Sequence, residues 1–170
     1  MAISPNGYIA RENGDEDWVP IENWDDFLVL ATKYNNIVMG RETFEQVTSR
    51  YSNFGFTDVT CDHKVIVTGN DDFRAPDGYV LASSPEAALS YIENQGLSKL
   101  FLIGGGKINS AFMKRGMVDE IIFIINPYIL GKGRPVLAPD NFDLTLKLES
   151  SQVLSKDRVR LHYKVTKIVH

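Results

Sequence analysis

The residues best placed to do chemistry lie in two turns. Gly104-Gly105-Gly106 follows the apolar run Lys99-Leu100-Phe101-Leu102-Ile103 and precedes a helical stretch. A glycine run lets the backbone come close to a ligand, and the free N–H groups of the following helix favour a phosphate. The same glycines also serve as plain tight-turn residues, so taken alone they leave both uses open. Gly40-Arg41-Glu42-Thr43 follows the run Ile37-Val38-Met39. Arg41 at a helix start opposes the helix macrodipole, which implies a neutralising anion. That anion is either a ligand phosphate or a nearby acid such as Glu45.

These turns need elements to hold them, and the hydrophobic period supplies those elements. Met1-Ala2-Ile3-Ser4 reads as a strand entering a turn at Pro5-Asn6-Gly7, with Tyr8-Ile9-Ala10 carrying on. Apolar residues at helical spacing predict a helix from Trp24 to Lys33, capped by Asn23. Strand, glycine and helix then follow each other at Ile37–Val47 and again at Lys99–Arg115, with Lys64–Thr68 and Tyr79–Leu81 as further strands. Ser84-Pro85-Glu86 starts a helix that Gly96 stops. After the apolar strand Glu120–Ile125 the helices end. Leu144, Leu146 and Leu148, then Val159, Leu161, Tyr163 and Val165, alternate with polar residues, which predicts two antiparallel strands with one buried face each. The expectation is one α/β domain over residues 1–170, parallel where helices cross over and antiparallel at its C-terminal edge.

Composition narrows the function. The 170 residues carry a net charge of −4 with no basic stripe, which argues against a nucleic-acid partner. No apolar stretch approaches the roughly 20 residues of a membrane span, so a soluble, untargeted cytoplasmic protein is expected. Cys61 is the single cysteine, and His63, His162 and His170 lack ligand spacing, so no metal is assigned. A Walker-type loop is absent. The sixth position counted from Gly104 is Asn109, where the usual dinucleotide fingerprint has glycine or alanine.

Met39-Gly40-Arg41-Glu42-Thr43-Phe44-Glu45 and Ile103-Gly104-Gly105-Gly106 resemble the two cofactor-binding motifs of dihydrofolate reductases, in the same order, and Trp18 fits the same pattern. Ser4-Pro5-Asn6-Gly7-Tyr8-Ile9-Ala10, Gly116-Met117-Val118-Asp119-Glu120 and the stretch from Asn126 to Pro135 resemble the related reductase domain at the C-terminus of the bifunctional riboflavin-biosynthesis deaminase-reductase. The resemblance spans nearly the whole chain. It implies the three-layer dihydrofolate reductase-like fold, a usually dimeric state, and an NADPH-dependent reductase acting on a small molecule of the pterin, pyrimidine or ribosylaminopyrimidine type. It also implies that Ala2 and Ile3 line the nicotinamide site. Gly40, Arg41 and Thr43 would hold the adenosine phosphate end, with Thr68 and Gly69, while Ile103, Gly104, Gly105, Gly106, Lys107 and Ile108 would wrap the pyrophosphate. If the anion at Arg41 is the 2′-phosphate of NADPH, one charge-assisted contact of about 1.5–3 kcal/mol favours NADPH over NADH by roughly ten- to a hundredfold.

The substrate half departs from both reference enzymes. Asn23 falls where dihydrofolate reductases carry a pterin-binding carboxylate. Gly104 and Asn6 stand where riboflavin reductases carry acids. Glu22 and Asp17 are the nearest proton-donor candidates, with Tyr8 or a water as substitutes. Trp18 either covers cofactor or substrate or anchors the core. Asn23, Phe27, Tyr51, Pro127, Leu130 and Gly131 are the substrate-binding candidates, with Tyr51, Phe54, Phe56 and Cys61 as a wall or lid and Gly131-Lys132-Gly133-Arg134 offering cations. The alternatives to a riboflavin-type reductase are dihydrofolate reductase proper, an NADPH-binding module without turnover, and an interaction protein. The strand Arg158–Val165, read as an edge, suggests pairing with a second copy.

Overall fold

A computed structural model of the protein describes residues 1–50 and 56–169, with side chains described to residue 166. The predicted lid residues Tyr51 and Phe54 lie outside the described residues. The chain divides into two compact units: 24–108, and 1–23 together with 109–170.

The unit 24–108 is built on a four-stranded parallel sheet. Its strands are β3 (Asn36–Gly40), β4 (His63–Val67), β5 (Val80–Ala82) and β6 (Leu102–Gly104), in the order β5-β4-β3-β6. Ile37, Val38 and Met39 of β3 and Val65 and Ile66 of β4 are fully buried, as expected of parallel strands covered on both faces. Helix α1 (Glu22–Tyr34) contributes Ala31 to the core and packs Trp24, Phe27 and Leu28 against it. Helix α2 (Arg41–Arg50) contributes Phe44, and α3 (Pro85–Asn94) buries Ala88 and Ile92. Ser84 caps α3 as predicted, its side chain accepting from the Ala87 N–H at 3.2 Å.

Strand β6 is shorter than its apolar run implies: the Phe101 carbonyl still accepts from the Val38 N–H at 2.9 Å, but the Lys99 carbonyl and the Phe101 N–H are taken by a side chain. Asn36 is completely buried. Its Nδ2 donates to the carbonyls of Tyr34 and Lys99, both at 2.8 Å, and its Oδ1 accepts from the Phe101 N–H at 2.8 Å.

The other unit holds β1 (Ala2–Ile3), β7 (Glu120–Ile125), β9 (Asp143–Ser155) and β10 (Arg158–Val169), in the order β1-β7-β10-β9. A two-stranded ribbon of β2 (Tyr8–Ala10) with β8 (Arg134–Pro135) accompanies them. β1 runs parallel to β7, and the remaining pairs are antiparallel. Helix α4 (Gly106–Lys114) buries Asn109, Ser110, Phe112 and Met113. The two polar residues are satisfied by the carbonyls of Val136 at 2.8 Å and Ala138 at 2.7 Å. Among the described residues no helix is long and apolar enough to cross a membrane.

Two expectations for the C-terminal hairpin need correction. β10 is an interior strand between β7 and β9, so Arg158–Val165 is not an edge. β9 is the edge, and its alternating face is not buried: Leu146, Leu148 and Val153 are 40%, 50% and 71% exposed. Alternation marked a two-faced strand, but which strand is covered depends on sheet order, a non-local property.

Candidate functional site

The parallel register brings the predicted cofactor residues of 24–108 together. Gly40 lies opposite Val67, and Met39 opposite Gly104. Arg41, Thr68-Gly69 and Gly104-Gly105-Gly106 therefore all leave the carboxyl ends of three adjacent strands, the usual ligand position of an open parallel sheet. A Cβ at Gly40 would stand 3.5 Å from that of Ile108 and 3.9 Å from the Gly104 carbonyl oxygen, so the first and last of these turns touch. Gly104 has φ +103°, a conformation that glycine adopts readily. Gly106 opens α4, whose first-turn N–H groups have no acceptor within the helix. Ile103 is half-buried in β6, and Thr43 is half-buried in the first turn of α2. The Thr68 hydroxyl accepts from the Asn70 N–H at 3.1 Å, while Gly69 is exposed.

Both cations at this sheet end are already paired. One nitrogen of Arg41, Nη1, donates to both Glu45 oxygens at 2.7 Å, and Lys107 Nζ donates to Glu42 at 2.7 Å. Of the two anions open for Arg41, the acid Glu45 is the one present in the free chain.

The remaining candidates fall into smaller groups in residues 1–23 and 109–170. Arg11 binds Asp17 as a fork, Nε to Oδ1 at 2.6 Å and Nη2 to Oδ2 at 3.1 Å. Its Nη2 also reaches the Tyr128 hydroxyl at 3.3 Å. The guanidinium holds the Asp17 carboxyl below the usual carboxylate range. A carboxylate held ionised is an ion-pair partner and a poor proton donor. Trp18 is buried and stacks on Tyr128 with centroids 6.0 Å apart. Its indole N–H is buried with no hydrogen-bond acceptor among the described residues. Such a donor is costly unless something else accepts from it, and it is the one orphan among the described predicted site residues.

Asn23 is not the helix cap, because α1 begins at Glu22. Its amide is used elsewhere: Nδ2 donates to Asn126 Oδ1 at 2.8 Å, and its Oδ1 accepts from Arg158 Nη1 at 3.2 Å. Both asparagines are buried. Glu22 is exposed in the first turn of α1. Asn6 ties the opening turn down, donating to the Leu130 carbonyl at 2.6 Å and accepting from the Ser4 hydroxyl at 2.8 Å. Leu130 is buried, and Pro127 and Gly131 are exposed. Ala2 and Ile3 pair with Ile124 and Ile125 of β7.

Other candidates have structural contacts. Phe27, a substrate-binding candidate, is half-buried and packs among Trp24, Phe56 and Phe101 at centroid distances of 4.9, 6.3 and 6.0 Å. Gly133 is glycine because a Cβ there would meet the Ala10 carbonyl oxygen at 2.5 Å. Arg134, beside it, donates to the Glu12 carbonyl at 3.2 Å. Burial pushes the Cys61 thiol up, as suits a packing residue. Sequence reading passed over Asn126, Arg158, Arg11 and Tyr128. The available signal was a polar residue abutting an apolar strand, as Asn126 abuts Ile121–Ile125.

Residues 1–159 match the family model described as the RibD C-terminal domain. Among curated proteins, the uncharacterized protein YwjB of Bacillus subtilis (strain 168) is 26% identical over 167 residues, covering 96% of this chain and 94% of its own. Among solved structures, a putative riboflavin biosynthesis protein from Shewanella sp. PV-4 superposes with a TM-score of 0.80 at 24% identity, over 98% of this chain and 97% of its own. RibD of Acinetobacter baumannii superposes with a TM-score of 0.78 at 18% identity, over 98% of this chain but 56% of its own. The likeness to these structures establishes the dihydrofolate reductase-like α/β fold that the motifs implied. With the family model spanning nearly the whole sequence, the chain belongs to the RibD C-terminal domain family.

Proposed function

We propose that the chain is an NADPH-dependent reductase of a pyrimidine, pterin or ribosylaminopyrimidine substrate, similar to the riboflavin-pathway reductases. The observation that carries this reading is the meeting of Arg41, Thr68-Gly69 and Gly104–Gly106 at the ends of adjacent parallel strands. The donor set suits a pyrophosphate with a further phosphate: glycine N–H groups at a helix start, a threonine hydroxyl and two cations. When bound, the nicotinamide supplies a hydride to an electrophilic C=N or C=O carbon. Arg41 and Thr43 would hold the adenosine phosphate, and Gly104 to Ile108 with Lys107 the pyrophosphate. Ala2 and Ile3 would line the nicotinamide. Reduction also needs a proton, and with Asp17 held by Arg11, Glu22 is the carboxyl left to deliver it.

Titrating nicotinamide fluorescence tests binding, and a panel of pterins and ribosylaminopyrimidines tests turnover. Glu22→Gln is expected to lower kcat by about 10²-fold with NADPH affinity unchanged. Asp17→Asn, which touches only the ion pair, should change kcat less than threefold. If Asp17→Asn proves the more damaging, the assignment of the donor reverses. Asn23 favours a second reading, an NADPH-binding module without turnover, because an amide locked to Asn126 and Arg158 cannot act as the acid its position carries in dihydrofolate reductases. Tight NADPH binding with no oxidation across the panel selects that reading.

The partner we propose is a second copy of the chain, which would cover the exposed leucines of the long edge strand β9. Light scattering should give twice the chain mass. Leu146→Glu with Leu148→Glu should give a folded monomer whose thermal midpoint no longer rises with protein concentration, as that of a dimer does. A wild-type monomer at micromolar concentration defeats this assignment.

A further inference from the structure

Resting on the NADPH reading above, we infer that Glu45, with Glu42 as its auxiliary, sets cofactor selectivity by competing with the 2′-phosphate for the cations at the sheet end. Arg41 and Lys107 are opposed by Glu45 and Glu42 at 2.7 Å, so each cation faces an acid before any ligand arrives. A phosphate that takes Arg41 must either displace Glu45 or bind beside its negative charge.

The geometry of the Arg41 pair marks it as one that gives way. Arg11 grips Asp17 with two nitrogens on two oxygens, the fork arrangement that holds a guanidinium in one plane. Arg41 instead offers Nη1 alone to both Glu45 oxygens, with no partner for Nε or Nη2 among the described residues. The pair is part-exposed, with side chains 32% and 45% accessible, and it sits at i,i+4 with the cation toward the helix N-terminus, the weaker orientation. Releasing such a pair costs about a factor of two in affinity. The larger effect is repulsion between the remaining carboxylate and a phosphate carrying up to two charges, which acts through partly screened solvent. Lys107–Glu42 is more exposed, at 78% and 56%, so Glu42 has the smaller share.

The test is equilibrium titration of wild type, Glu45→Gln and Glu42→Gln with NADPH and with NADH, read by nicotinamide fluorescence at fixed salt. Glu45→Gln should tighten NADPH binding about three- to tenfold while moving NADH less than twofold, and Glu42→Gln should do the same by about twofold. Adenosine 2′,5′-bisphosphate against 5′-AMP should repeat the pattern without the nicotinamide. If wild type binds NADPH but Glu45→Gln weakens it, leaves it unchanged, or tightens both cofactors equally, the competition is overturned and the NADPH reading stands. If no variant binds NADPH up to millimolar concentration, the NADPH reading itself fails. Circular dichroism melts of both variants keep the comparison clean, since loss of an exposed pair should shift the midpoint by no more than about 2 °C.

Discussion

Arg41→Ala is expected to cut the preference for NADPH over NADH by roughly ten- to a hundredfold, almost wholly through weaker NADPH binding. On the proposed NADPH reading, the size follows from one charge-assisted contact to the 2′-phosphate, about 1.5–3 kcal/mol. Arg41 is the first residue of α2, on the end of a fully buried strand, so its backbone is fixed while its side chain remains part-exposed. Its contact within the chain is an i,i+4 pair worth about 0.3–0.5 kcal/mol, so the variant should melt within a degree or two of wild type. A fluorescence titration with both cofactors reads the ratio directly. Equal loss for NADPH and NADH would assign Arg41 to the pyrophosphate, and no loss for either would remove it from the site.

Asn36→Ala should be among the most destabilising single changes in the chain, by about 3–5 kcal/mol, lowering the thermal midpoint by roughly 10 °C. Three backbone groups lose their partner at once: the carbonyls of Tyr34 and Lys99 and the N–H of Phe101. The side chain is completely buried, so water reaches the orphaned groups only if the strand start opens. The effect should extend to function. Asn36 ties the start of β3 to the segment entering β6, and the far ends of those two strands carry Arg41 and Gly104. Weaker NADPH binding is therefore expected well below the midpoint. Asn36→Asp, which keeps one acceptor but buries a charge or a single donor, should also destabilise. A midpoint within 2 °C of wild type for Asn36→Ala, by calorimetry, would show that the three bonds carry little of the stability.

The strand–glycine–helix turns were legible because every signal for them is local. Ile37-Val38-Met39 before Gly40, and the glycines after Ile103, need only the short-range pattern of apolar residues and turn formers. Ser84 with Pro85 marked its helix start for the same reason. Legibility failed where a residue's role depends on a partner far along the chain. Asn23 reads as a cap from its neighbours, yet its amide is spent on Asn126 and Arg158, 103 and 135 residues away. Phe27 has the spacing of a helix residue near a site, but the rings around it include Phe56 and Phe101. Apolar alternation in Leu144–Leu148 and Val159–Val165 described two similar strands, and only sheet order made one interior and the other an edge.

The same division runs through the site. By itself the sequence determined that cations and glycine turns follow apolar strands, and hence that an anion belongs there, because strand and helix signals and the charge of Arg41 are properties of adjacent residues. Only the tertiary structure decided that three such turns lie side by side, since parallel register joins residue 40 to 67 and residue 39 to 104 across long crossovers. It also decided which acids those cations hold, and that Asp17 is held by Arg11 while the indole N–H of Trp18 has no acceptor among the described residues. A side chain's charge is written in its type, whereas its partner is a matter of position in space.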